Sequence, residues 1–169
     1  NKQYKILLLG DSAVGKTWIL KRFVYLADFI PTEDEFTPTL GCNYLDKKFQ
    51  IKGDIVTVRV WDTAGQEKFR SNNKLFIKQT DIFFLVYDVT NIKSLQALKE
   101  YINMILEVKT GKIVFFLGNK IDLDTQIQVD EKDLKGLADQ LGEYFQINYA
   151  RISALRGFGF DTLVRSEER

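Results

Sequence analysis

The chain has no histidine, one cysteine and two prolines in 169 residues. Without histidine it can build no Ser-His-Asp or Cys-His pair and no Cys/His zinc site. Cys42 has no second thiol to pair with, so an internal disulfide is excluded, and a single thiol suits a reducing compartment. Long hydrophobic runs are also missing. IFFLV and IVFFL, the longest, are strand-sized and far short of the roughly 20 residues that cross a bilayer as a helix. Neither sign of charge dominates: 24 Lys plus Arg against 23 Asp plus Glu give a net +1, which offers no basic excess for nucleic acid. An initiator Met and a C-terminal cysteine for lipidation are absent as well. The chain opens at Asn1 and stops at RSEER, as a fragment of a longer chain would.

What is present fits a single domain over residues 1–169, long enough to bury a core. Short apolar runs alternate with helical patterns, which predicts an α/β fold with a parallel sheet. KILLLG (5–10) reads as a buried strand, and TWILKRFVYLA (17–27) has apolar residues at helical spacing. NYLDKKFQIKGDIVTVRVWD reads as a hairpin turning around Gly53-Asp54, with Val56, Val58 and Val60 on one face. DIFFLVYD (81–88) and KIVFFLGN (112–119) are continuous apolar strands, expected where both sheet faces are covered. Leu95, Leu98, Ile102, Ile105 and Leu106 mark a helix between them. Leu134, Leu137, Ala138 and Leu141 mark another, INYARIS (147–153) a last strand, and DTLVRSEER the start of a short final helix.

Four motifs sit at strand ends. KILLLG runs into GDSAVGKT, the pattern Gly, four residues, Gly-Lys-Thr, whose backbone amides curl around phosphate oxygens before a helix N-terminus. Ser12, Ala13, Val14, Gly15, Lys16, Thr17 and Trp18 are therefore the candidate phosphate-binding residues. Lys16 would reach the β/γ phosphates and the Thr17 hydroxyl would ligate Mg²⁺. TVRVW ends in DTAGQ, where Asp62 can hold Mg²⁺, Gly65 can offer its amide to a γ-phosphate, and Gln66 can orient an attacking water. Alone, DTAGQ would read as an ordinary strand-ending turn. NKID closes the strand KIVFFLG. The Asp122 carboxylate accepts from the two donors on one edge of guanine, where adenine would present an acceptor. Asn119 would brace the loops, and the Lys120 stem would pack over the base. Ser153, Ala154 and Leu155 follow the last strand and could bring a backbone amide to guanine O6. NKID alone would likewise pass as a polar turn, but four motifs in fixed order at strand C-terminal ends form a ligand site.

On these motifs the chain resembles a small Ras-superfamily GTPase, and within it the Rab family. TLGCNY, WDTAGQEKFRS and LVYDVT carry the likeness, which covers roughly residues 4–164. The resemblance implies a P-loop GTPase fold, a six-stranded sheet with one antiparallel strand and helices on both faces, and a switch that is on with GTP and off with GDP. It implies Mg²⁺, an effector, an exchange factor and a GTPase-activating protein as partners. It also implies a cytoplasmic protein, peripheral on an endomembrane through a lipidated tail or a partner. Both prolines fall in PTEDEFTPTLG (31–41), where the resemblance assigns Thr39, 23 residues before Asp62, to Mg²⁺ and the γ-phosphate. Thr37 is a weaker candidate for that role. Phe29 would stack edge-on against the base, with core or loop packing the alternative. Trp61 would lie in the hydrophobic region that Rab effectors read. Departures are Ala13 where many members have glycine, Leu155 in place of a frequent lysine, extra length between Lys16 and Thr39 and between Asp122 and Ser153, and a short last helix.

Three functions then compete. A GTP-hydrolysing switch with low intrinsic turnover is favoured, because no arginine of the chain is assigned to the γ-phosphate; a supplied arginine finger is worth roughly 10³–10⁵-fold in related systems. A guanine-nucleotide-binding interaction module with little switching is the alternative. An ATP-using P-loop enzyme conflicts with Asp122.

Overall fold

The computed structural model describes residues 2–25, 42–63, 73–108, 112–161 and 163. Six strands form one sheet: β1 (Lys2–Leu9), β2 (Cys42–Ile51), β3 (Asp54–Thr63), β4 (Ile82–Asp88), β5 (Ile113–Asn119) and β6 (Gln146–Arg151). Their order is β2-β3-β1-β4-β5-β6. Only the β2–β3 pair is antiparallel. The helices are α1 (Lys16–Tyr25), α2 (Asn73–Lys78), α3 (Ile92–Val108) and α4 (Glu131–Ala138).

Alternation along the central strands divides the core in two. Ile6, Leu8, Phe84, Val86, Phe115 and Leu117 pack with Ile19, Leu20 and Phe23 of α1 on one face. Leu7, Leu9, Phe83, Leu85, Val114 and Phe116 pack on the other with Ile77 of α2 and Leu95, Leu98, Ile102 and Ile105 of α3. Strands buried on both faces need no polar side, which is why β4 and β5 read as continuous apolar runs. β2 is different. Its exposed and half-buried residues alternate, as expected of an edge strand with one wet face.

The hairpin turns one residue earlier than Gly53-Asp54. Ile51 pairs with Asp54, so the turn residues are Lys52 and Gly53, both at positive φ (50° and 89°). A two-residue turn with positive φ at both central positions matches strand twist, and glycine fills the second at no steric cost. α4 ends at Ala138, and Leu141 reaches the core from the turn that follows it. An Asp130–Asp133 capping box fixes the start of this helix. Near the C-terminus, Phe160 and Leu163 join the α1-side core, while residues 164–169 lie outside the described residues.

β1 lies in the middle of the sheet, with parallel neighbours on either side. The carboxyl ends of β1, β3, β4, β5 and β6 therefore open onto one edge, where open α/β sheets bind ligands.

Candidate functional site

The loop after β1 is built by steric exclusion. Gly15 takes φ +96°, and a Cβ there would lie 2.4 Å from Asn119 Nδ2. Only glycine allows Asn119 to come this close. Ala13 also sits in the left-handed region, at φ 63°, which costs an alanine about 1 kcal/mol. Val14 is buried, whereas Ser12 and Ala13 are exposed. Trp18, one residue beyond Thr17 in the first turn of α1, packs half-buried against the α1-side core.

Lys16 folds back over this loop. Its ammonium donates to the carbonyls of Gly10 (2.7 Å) and Asp11 (2.8 Å), and the residue is 6% exposed. Burial lowers its pKa to about 8 against the opposing pull of Asp62 and Asp11. A buried ammonium that donates to neutral carbonyls is poised for an anion.

Thr17 donates its hydroxyl to Asp62 Oδ2 at 2.5 Å, and Asp62 is buried at the end of β3. The next residue, Thr63, is pinned by its hydroxyl to Leu8 O at 2.7 Å, which fixes the β3 end against the β1 end. Among the described residues, no three acidic or thiol side chains converge on one point. A hydroxyl and a carboxylate meeting at the phosphate loop nonetheless form a hard-oxygen pair. Mg²⁺ typically binds through one or two such ligands, with substrate phosphates and water completing the shell. The residues fit that cation.

The base side is joined by side chains that already hold one another. Asn119 donates from Nδ2 to Val14 O (2.9 Å) and accepts at Oδ1 from the Ala154 amide (3.0 Å), linking three loops. Asp122 accepts from the Ser153 hydroxyl at 2.7 Å, and the same hydroxyl accepts from the Arg156 amide. Lys120, at φ 70°, donates to Ala13 O (3.0 Å) and pairs with Asp88 Oδ2 at 2.6 Å. Asp88 in turn accepts from the Thr90 amide and hydroxyl. Burial pushes the Asp88 pKa up, but the bonds from Lys120 and Thr90 outweigh it and hold the pKa below the ordinary value. Leu155 is exposed, so its contribution to a site would be its backbone.

Two supports were not foreseen from sequence. Asp88 is one. Arg22 is the other: it is buried on α1 and bonded to the carbonyls of Ala154 (3.0 Å) and Leu155 (2.9 Å). Its only sequence signal is a charge on the helix face that also carries Ile19 and Phe23.

On the α2/α3 face of the sheet, Trp61 of the β2–β3 hairpin lies between Tyr44 (centroids 4.7 Å) and Phe76 of α2 (5.2 Å). Arg59 stands over Tyr44 and is clamped by Asp46, while Lys5 stands over Phe76. Trp61 was legible alone, but Tyr44 joins it through hairpin register and Phe76 through tertiary packing. Phe29, Thr37, Thr39, Gly65 and Gln66 lie outside the described residues, so their assignments rest on sequence.

A family model described as the Ras family matches residues 5–166. Ras-related protein Rab-30 of Homo sapiens is 32% identical over 147 residues, which is 84% of this chain and 68% of that protein. Ras-related protein Rab-30 of Bos taurus matches to the same extent.

Proposed function

The chain belongs to the Ras family and is a Rab-like small GTPase, and from that premise we propose that it binds GTP and GDP with Mg²⁺, hydrolyses GTP slowly and acts as a nucleotide-dependent switch in membrane traffic. Residues 1–169 would form one GTPase domain. The observation that carries this reading is the Asn119 bridge, which ties the phosphate loop at Val14 to the loop at Ala154 on the edge where Thr17 meets Asp62.

Each group then has a task. The amides of residues 12–18 and the Lys16 ammonium would take the phosphates, a charged acceptor being stronger than the carbonyls Lys16 now holds. Asp122 would accept from guanine N1–H and N2–H₂, kept in place by Ser153. Thr17 and Asp62, with Thr39, would hold Mg²⁺, which neutralises charge on the β/γ oxygens when bound. Gly65 would bind the γ-phosphate, Gln66 would orient the attacking water, and Phe29 would flank the base. Arg22 is occupied by the 154–155 carbonyls and is not placed to serve as a finger. A partner-supplied arginine would raise turnover by roughly 10³–10⁵-fold, as in related GTPases.

Effectors would read Tyr44, Trp61 and Phe76. Among the described residues no helix is long and apolar enough to cross a membrane. Endomembrane attachment would come from a lipidated tail or from an exchange factor, effector or other partner. The test is single-turnover GTP hydrolysis by wild type and Gln66→Leu with Mg²⁺. Slow turnover that falls further in the variant is expected, and equal rates would remove Gln66 from the mechanism.

A further inference from the structure

Arg22 is a cation placed where a core residue would normally stand. It lies on α1, five residues beyond Thr17, and is 9% exposed. Its guanidinium donates from Nε to Ala154 O and from a terminal nitrogen to Leu155 O. Gly157, at φ +80°, brings the returning loop against the same group; a Cβ there would sit 3.6 Å from the guanidinium carbon. The loop is closed from within by the Gly157 amide on Ser153 O and the Arg156 amide on Ser153 Oγ.

The geometry of the peptide group gives these bonds a direction. In a planar trans peptide the C=O and N–H point opposite ways. The carbonyl of Ala154 belongs to the same plane as the amide of Leu155. Holding that carbonyl toward α1 aims the Leu155 N–H away from α1. The Ala154 amide, one plane earlier, already donates to Asn119 Oδ1. A cation on a carbonyl also polarises its peptide and makes the N–H a stronger donor.

We propose that Arg22 is a positioning residue for guanine recognition, orienting and polarising the Leu155 amide as the donor to guanine O6. This rests on the guanine-nucleotide site proposed above. It makes α1 a strut between the two ends of the ligand: its first turn meets the phosphates and its second turn fixes the O6 donor. Because the Arg22 bonds go to the base-side loop, its loss weakens GDP and GTP binding equally.

The test compares GDP with 6-thio-GDP, which keeps both donors for Asp122 but replaces O6 by a weak sulfur acceptor. Affinities are measured on refilled wild type, Arg22→Met and Arg22→Lys, with melting temperatures recorded for each. Wild type prefers GDP by roughly tenfold, the worth of one good hydrogen bond. In Arg22→Met that preference collapses toward about twofold, and Arg22→Lys, which keeps a donor, lies between. If Arg22→Met binds both nucleotides more weakly with the ratio unchanged, Arg22 is only structural and the inference is wrong. Should Arg22→Met not fold, an unchanged ratio in Arg22→Lys overturns it equally. If wild type itself binds both equally, the O6 contact of the proposed site is absent, and that failure is distinct because it does not depend on any Arg22 variant.

Discussion

The two sides of the nucleotide edge are organised in opposite ways. On the base side, Asn119 is bonded to Val14 O and the Ala154 amide, Lys120 to Ala13 O and Asp88, and Asp122 to the Ser153 hydroxyl, so the side chains there hold the loops and one another. On the phosphate side, Lys16 holds carbonyls of its own loop and Thr17 holds Asp62. A phosphate or a cation would take over or share those bonds. The base side is a preset frame that costs little to use, and a frame of that kind suits a constant recognition task. The phosphate side exchanges partners on binding, and a difference of one phosphate can be felt only where bonds change hands.

Breaking the phosphate side should have the largest effect. Lys16→Met removes the charge aimed at the β- and γ-phosphates and should lower affinity for a non-hydrolysable GTP analogue by roughly 10³-fold, since each hydrogen bond to a charged group is worth about 1.5–3 kcal/mol. Equilibrium titration with a fluorescent GTP analogue checks this. Asp122→Asn attacks the frame instead. An amide offers one acceptor and one donor to guanine's two donors, so GDP affinity should fall on the order of 10²-fold, while xanthosine diphosphate, which has a carbonyl at C2, should gain. A loss shared equally by both nucleotides would mean that Asp122 does not face that edge.

The contrast can be sharpened by pH. Burial gives Lys16 a pKa of about 8 in the nucleotide-free protein, and a bound polyanion raises it. Below about 8 the ammonium is present before and after binding. Above it, binding must take up a proton, so affinity falls as pH rises, by up to about tenfold per unit. Calorimetry from pH 7 to 9 in buffers of different ionisation enthalpy reads both the slope and the proton uptake. A flat profile would show that Lys16 does not meet the phosphates. The smallest effect is expected from Asp88→Asn, which keeps the shape but weakens the hold on Lys120. A loss of about threefold in affinity for GDP and GTP alike is expected by the same titration, because Lys120 is partly exposed and screened.

The sequence was most readable where the chemistry is contiguous. GDSAVGKT and NKID are local patterns, and the parallel sheet was legible because buried strands and amphipathic helices alternate. Arg22 was not legible, because its partners at Ala154 and Leu155 are brought to it only by the placement of β6 beside β5. Asp88 was hidden for the same reason: its partner Lys120 lies on the neighbouring strand end. The hairpin turn was placed one residue late, since Gly53 occupies the second turn position and Lys52 accepts the left-handed conformation before it. The row of Tyr44, Trp61 and Phe76 joins a strand pair to a helix that no local periodicity connects.

Amide hydrogen exchange of the GDP-bound and GTP-analogue-bound protein, with Mg²⁺, tests this division most directly. The account predicts that differences between the two states concentrate in residues 10–18, 26–41 and 62–72. The amides of 119–123 and 153–157 should exchange alike in both. Differences of equal size at 119–123 and 153–157 would contradict it, because the base frame would then be part of the switch.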